Sequence, residues 1–341
     1  MDRKSVYFLA LVAVGLSGAV TAAETIFPGR NSNVVGPPPA QSDVFGDTGY
    51  RQQNEPSCAV NPENPSRVCC GFNDYRGIDI PGLGDAWQGI ACSLDGGDSW
   101  NSQLVEGSLI DPENSLGLEF AADPNLVAMP GGLVFNFIAA NRDQVGGLYV
   151  MRYLWRNKED GWPLEPVGGP VLVSDGSRGR FIDKPHFHGF LDDASNETVR
   201  WAGTDRDLPA GTLGLSAAVF VGNDNNDGTK LLYWRSRDWG ATWENPTKLS
   251  ESKGVNSGVN LANNGDTVCA IWRRFDDTNE SSAILKACSS DRGARFEKPR
   301  EIIDICPFDL TTLNGTPPLD SFVSFRSNAF PVVAGDGSNF Y

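Results

Sequence analysis

Positive charge is scarce in this chain: 28 lysines and arginines stand against 43 aspartates and glutamates, a formal net charge of −15. Phosphate recognition needs clustered Lys and Arg, so no nucleic-acid partner is expected. Histidine is scarcer still, with His186 and His188 alone in 341 residues. Two imidazoles without a third ligand make no zinc site, and Cys69 and Cys70, being adjacent, lack zinc-type spacing. Long apolar runs are missing after the N-terminal segment, which excludes a second stretch long enough to span a bilayer as a helix. No segment sustains a helical period for three turns. What remains is a 40% hydrophobic chain with 38 glycines and 22 prolines spread along its whole length. Frequent turns between short strands give that distribution, and the expected fold class is all-β.

The N-terminus carries its own explanation. Arg3 and Lys4 precede an apolar run from Val6 to Leu16, and small residues follow through Ala22 and Ala23. A charged flank, an apolar stretch and a small-residue exit form a secretory signal peptide, expected over residues 1–23. A Pro-rich, extended lead-in is expected over 24–48, around Gly36-Pro37-Pro38-Pro39, and a single domain over 49–341. Export places the protein in the periplasm or outside the cell, where disulfides form. Seven cysteines leave at least one thiol unpaired in the monomer. Cys269 and Cys288 fall on neighbouring strands of one repeat and are a candidate pair; spacing alone does not decide it.

Self-similarity sets the architecture. Ser93-Leu-Asp95-Gly-Gly97-Asp-Ser99-Trp100 matches Ser236-Arg-Asp238-Trp-Gly240-Ala-Thr242-Trp243 position by position. Ser289-Ser-Asp291-Arg-Gly293-Ala-Arg295-Phe296 keeps the frame, with Arg295 in place of the hydroxyl residue. A carboxylate and a hydroxyl tie the N–H groups of a tight turn, glycine supplies the positive φ, and the aromatic leaves the turn to pack. A second frame places a side chain five residues before a proline: Arg51 before Pro56, Arg180 before Pro185, Arg326 before Pro331, and Glu119 before Pro124. Together the frames divide the chain into repeats at about 50–106, 119–175, 182–250 and 255–304, with a fifth opening near 326.

The turn signature resembles the Asp-box (BNR) repeat of sialidase-like β-propellers. The resemblance implies a propeller that is six-bladed when complete, of which this chain carries about four and a half blades and is C-terminally incomplete. It also implies a secreted glycoside hydrolase acting on terminal acidic sugars of extracellular glycans, with a glycan-binding or protein-binding propeller without catalysis as the alternative. The three box aspartates tie turns at the blade periphery and are not expected to touch substrate. Sialidases hold the sugar carboxylate with an arginine cluster and use an acid/base Asp and a Tyr nucleophile assisted by Glu. Carried over, Arg51, Arg180 and Arg326 are the substrate-binding candidates, with Glu119 between two of them as a catalytic candidate. Pairing of those arginines with nearby acids such as Glu55 or Asp183 is the competing reading. The acid/base belongs between the second and third strands of the first blade, where Asp74, Asp79 and Asp85 stand as candidates. The Arg-Ile-Pro opening of sialidase domains is absent, Asn54-Glu55-Pro56 taking its place, and the nucleophilic Tyr would lie beyond residue 341.

The remaining features have plain readings. His186 and His188 alternate onto one strand face and are further substrate-binding candidates that would line the groove, with no metal and no cofactor expected. Asn223-Asp-Asn-Asn-Asp227-Gly228 resembles the start of a calcium loop but lacks the acid six residues later, where Trp234 stands, so a polar hairpin tip is expected. Asn196, Asn279 and Asn314 open glycosylation sequons. Trp87, Trp155 and Trp201 are expected to pack between blades. The expected partner is a glycan or glycoprotein; oligomeric state is not legible.

Overall fold

The computed structural model describes residues 52–78, 85–109, 111, 113–143, 145–156, 161–176, 181–191, 198–201, 204, 207–220, 229–251, 254–275, 282–305 and 330–341. Every regular element among them is a strand. β1(Gln53–Val60), β2(Val68–Asp74), β3(Trp87–Ser93) and β4(Asn101–Leu104) form one antiparallel sheet in sequence order. The second sheet runs β5(Phe120–Met129), β6(Gly132–Ala140), β7(Gly146–Trp155), β8(Leu164–Pro166), with β9(Val171–Gly176) also paired to β7. The third begins with β10(Ile182–Leu191). A hairpin, β11(Thr198–Arg200) and β12(Asp207–Pro209), intervenes before β13(Gly211–Phe220), β14(Thr229–Ser236) and β15(Thr247–Lys248) complete it. β16(Val255–Asn264), β17(Thr267–Phe275), β18(Ser282–Ser289) and β19(Arg300–Ile305) make the fourth.

The first strands lie side by side: β1 contacts β5, β5 contacts β10, and β10 contacts β16. Consecutive sheets therefore fan out from a common hub of first strands, the arrangement of propeller blades. Burial follows from the two-residue period of a strand. Along β6, Leu133, Phe135 and Phe137 pack toward the first sheet, while Val134 and Ile138 pack toward the third. A strand covered on both faces reads as a continuous apolar run, and Gly132-Leu-Val-Phe-Asn-Phe-Ile-Ala-Ala140 is one, interrupted by Asn136 alone. Three cores result, one between each pair of neighbouring sheets. Trp87 and Trp155 fill the first and Trp201 the second, where it stacks on Trp239.

Three disulfides bridge residues that face one another across strands: Cys58–Cys70, Cys69–Cys92 and Cys269–Cys288. Cys69 and Cys70 are adjacent on β2, and the register sets Cys70 opposite Cys58 on β1 and Cys69 opposite Cys92 on β3. Cys306 lies outside the described residues. Such bonds belong to an oxidising compartment. No helix among the described residues is long and apolar enough to cross a membrane.

The three Ser-x-Asp-x-Gly turns join the third strand to the fourth in the first, third and fourth sheets. Their hydrogen bonds repeat. Ser93 Oγ donates to Asp95 Oδ1 at 2.7 Å and accepts from Gly97 N at 2.8 Å, and Asp95 Oδ1 accepts from Ser99 N at 2.8 Å. Ser236, Asp238, Gly240 and Thr242 make the same set, as do Ser289, Asp291, Gly293 and Arg295. Hydrogen bonds from Ser99 and Ser93 hold the Asp95 carboxyl down at about 2.

Candidate functional site at the hub

Each first strand is bulged at the same place. Pairing slips between Asn54 and Ser57 in β1, between Ala122 and Asn125 in β5, between Asp183 and His186 in β10, and between Ser257 and Asn260 in β16. The residue at the slip has a positive φ in all four: Glu55 at 53°, Asp123 at 58°, Lys184 at 47° and Gly258 at 64°. Pro56, Pro124 and Pro185 follow the first three, fitting because proline has no N–H to leave unpaired at a bulge. A left-handed conformation costs a non-glycine residue about 1 kcal/mol or more. Three charged residues keep it here, and the strain aims their side chains off the sheets and toward one another.

Lys184 closes the cluster. Its Nζ lies 2.5 Å from Glu55 Oε1 and 3.1 Å from Asp123 Oδ1, and its backbone N donates to Asp123 Oδ2 at 2.9 Å. A polar row on the first sheet supports the carboxylates from behind. Asn73 Nδ2 donates to Asn54 Oδ1 at 2.9 Å and Glu55 Oε2 at 3.2 Å, while Asn73 Oδ1 accepts from Asp123 N and Gln88 Nε2, each at 3.0 Å. Gln88 is wholly buried, and its Oε1 has no partner among the described residues. The cluster faces solvent: the side chains of Glu55, Lys184 and Asp123 are 38%, 28% and 9% exposed. Asp123, within hydrogen-bonding reach, raises the pKa of Glu55, and burial adds to this against the pull of Lys184. Burial opposes the charge on Lys184, but Asp123 and Glu55 outweigh it and its pKa rises. The arrangement can donate a proton from one carboxyl, accept hydroxyls on the other, and keep a fixed ammonium between them.

Two residues past each bulge, a second repeat stitches the sheets together. Ser57 Oγ accepts from Leu126 N at 3.2 Å, and Asn125 Oδ1 from Phe187 N at 3.0 Å. His186 Nδ1 accepts from Leu261 N at 3.1 Å, and Asn260 Oδ1 from Val333 N at 3.0 Å. To accept there, His186 must be neutral; its other ring nitrogen, Nε2, lies 2.8 Å from Asn260 Nδ2. Burial lowers its pKa to about 4 and keeps it so. His188 sits deeper, stacked between Phe190 and Tyr233 with Nε2 3.3 Å from Tyr233 Oη. Burial first, then the neighbouring His186, brings it to about 3. Both imidazoles occur on one side of β10, and both are committed to the joint between the third and fourth sheets.

The other candidates are dispersed. Asp74 ends β2 with its side chain enclosed; Oδ2 lies 2.6 Å from Arg76 Nε, and burial raises its pKa despite that partner. Asp85 precedes β3 and accepts from Ala86 N at 2.8 Å. Glu119 precedes β5 and binds the β6–β7 turn, Oε2 accepting from Arg142 N at 2.7 Å. Arg51, Arg180, Arg326 and Asp79 lie outside the described residues, as do the 223–228 loop and the three sequon asparagines. Sequence reading missed Asp123 and Lys184 and took Glu55 only as a partner for arginine. The signal was present: in three of the four members of the Arg/Glu…Pro frame the residue just before the proline is ionisable, namely Glu55, Asp123 and Lys184, and in the fourth it is Phe330. Among the described residues no group of His, Cys, Asp and Glu is arranged to hold a metal ion.

No protein-family model matches the chain, and no curated protein does. Solved structures do resemble it. An α-L-arabinofuranosidase of Fusarium graminearum, with an iminosugar inhibitor, is 16% identical over 77% of this chain and 71% of that one, at a TM-score of 0.48. A Penicillium chrysogenum α-L-arabinanase complexed with arabinobiose is 14% identical over 83% and 70%, at 0.47. A Trypanosoma rangeli sialidase with the inhibitor DANA is 13% identical over 74% and 38%, at 0.45. These are likenesses of fold.

Proposed function

We propose that this protein is a secreted, sialidase-like glycoside hydrolase that takes a terminal acidic sugar of an extracellular glycan at the hub of its first strands. The observation that carries the reading is the convergence of Glu55, Asp123 and Lys184 from three strained bulges into one solvent-facing cluster. Strain retained at three equivalent positions supports a role in ligand handling, since an unstrained residue would serve the fold better. A carboxyl whose pKa is pushed above its usual range by a second acid and by burial supports proton transfer to a leaving group. In this reading Arg51, Arg180 and Arg326 hold the sugar carboxylate, while Glu55 and Asp123 handle the proton.

A binding propeller without catalysis is the second reading, and one feature favours it. Glu55 and Asp123 share one ammonium, with Lys184 Nζ 2.5 Å from Glu55 Oε1 and 3.1 Å from Asp123 Oδ1, a closed ion-pair cluster that suits hydroxyl binding. Incubating the protein with a fluorogenic sialoside separates the two. Release of fluorophore that falls at least 100-fold in Glu55→Gln supports the hydrolase. Retained binding of 3′-sialyllactose with no release from any sialoside decides for the binding module.

A further inference from the structure

The row of bulge residues has a fourth member that carries no side chain, and what fills its place has a chemical meaning. In β1, β5 and β10 the side chain at the positive-φ position points into the hub, as the mutual contacts of Glu55, Asp123 and Lys184 establish. In β16 that position is Gly258, with φ 64°. A Cβ built there would meet Phe330 Cδ1 at 2.0 Å and Cγ at 2.3 Å. The Phe330 ring therefore occupies the space into which the other three strands send charge, and any residue but glycine at 258 would displace it.

Phe330 belongs to the same row by its own position. It directly precedes Pro331, as Glu55, Asp123 and Lys184 precede Pro56, Pro124 and Pro185. The register is independently marked by Val333 N, which donates to Asn260 Oδ1 as Leu126, Phe187 and Leu261 donate to the preceding sheets. Phe330 is only partly buried, and an edge-to-face contact with Phe275, at 6.5 Å between centroids, steadies it. The hub thus has a charged side and an aromatic side. Behind the charged side the buried Gln88 Oε1 offers a further acceptor with no partner among the described residues.

We propose that Phe330 is the apolar wall of the hub site and takes the face of a sugar ring whose hydroxyls meet Glu55 and Asp123. A sugar ring presents C–H groups on one face and hydroxyls at its rim, so a site with one aromatic wall and a few convergent polar groups complements it. This inference rests on the carbohydrate reading above and narrows it to a ligand bound by ring stacking. Gly258 is the residue that makes room for the wall.

The test compares the whole chain with Phe330→Leu, Phe330→Ala and Phe330→Trp, using calorimetric titration with 3′-sialyllactose, lactose and arabinobiose. Thermal midpoints report folding in parallel. Phe330→Trp should bind within about threefold of the wild type, while Phe330→Leu, which fills most of the space without a ring face, should lose about tenfold or more. Leu binding as well as Phe would overturn the inference, making Phe330 a filler, and would leave the carbohydrate reading standing. Wild type that binds none of the three sugars would overturn both.

Discussion

Two repeats in this molecule use acidic residues in tight, left-handed turns, and they use them in opposite ways. In the Ser-x-Asp-x-Gly turns the serine, threonine and backbone N–H groups that hydrogen-bond the carboxylate lie within four residues of it. The bonds are local, and the Asp95 carboxyl is held at about 2. In the first-strand bulges the partners come from other sheets; Lys184 and Glu55 are 129 residues apart. There the Glu55 carboxyl is raised, because a second acid and burial disfavour its charge. A carboxylate satisfied by its own turn builds fold. A carboxylate strained toward a like charge in an open hub is available for chemistry.

The largest test of that contrast is catalytic. Glu55→Gln and Asp123→Asn should each lower release from a fluorogenic sialoside by about 100-fold or more, the scale of a lost acid or base. Ser236→Ala in a turn should leave the rate within twofold. If the turn variant is the one that loses activity, the assignment of roles is reversed.

Acid stability gives the next effect. A histidine with a depressed folded pKa binds its proton more readily in the unfolded chain, so stability is full above about 6.5 and falls as pH drops toward about 4. His186→Asn places at this joint the residue that Asn125 and Asn260 already supply at two others. Its unfolding midpoint in urea should decline less between pH 6.5 and 4 than that of the wild type. An identical decline would mean that His186 does not carry the acid sensitivity.

In the turns, Ser236→Ala removes the acceptor of Gly240 N and a donor to Asp238, and should cost about 1 kcal/mol in urea unfolding with sugar binding unchanged. The smallest effect separates the two carboxyl types by sign. The lowered pKa of Asp95 adds stability above the unfolded value near 3.8 that is lost as pH falls through about 2, and Asp95→Asn should flatten that acid limb. The raised pKa of Glu55 acts the other way, costing stability as pH rises above 4.5, and Glu55→Gln should relieve it. Parallel pH profiles for the two variants would erase the distinction.

Much of the fold was legible because its signals are local. Turn bonds span four residues, strand burial follows a two-residue alternation, and the four sheets fall within the stretches marked by the repeats. The Cys269–Cys288 pair was legible as a candidate because a hairpin sets those residues opposite one another. The alternation of His186 and His188 was visible too. That Leu261 N would claim one ring, and Tyr233 stack on the other, was not, because those partners come from another strand or sheet.

By itself the sequence determined the all-β class, the repeat frame and the turns, since each depends on contacts between near neighbours in the chain. Only the tertiary structure decided which residues meet at the hub. A bulge turns a side chain off its strand, and where it lands depends on how neighbouring sheets are packed around it. Glu55, Asp123, Lys184 and Phe330 share a place in four repeats, but three-dimensional packing is what brings the first three into contact and lays the fourth over Gly258.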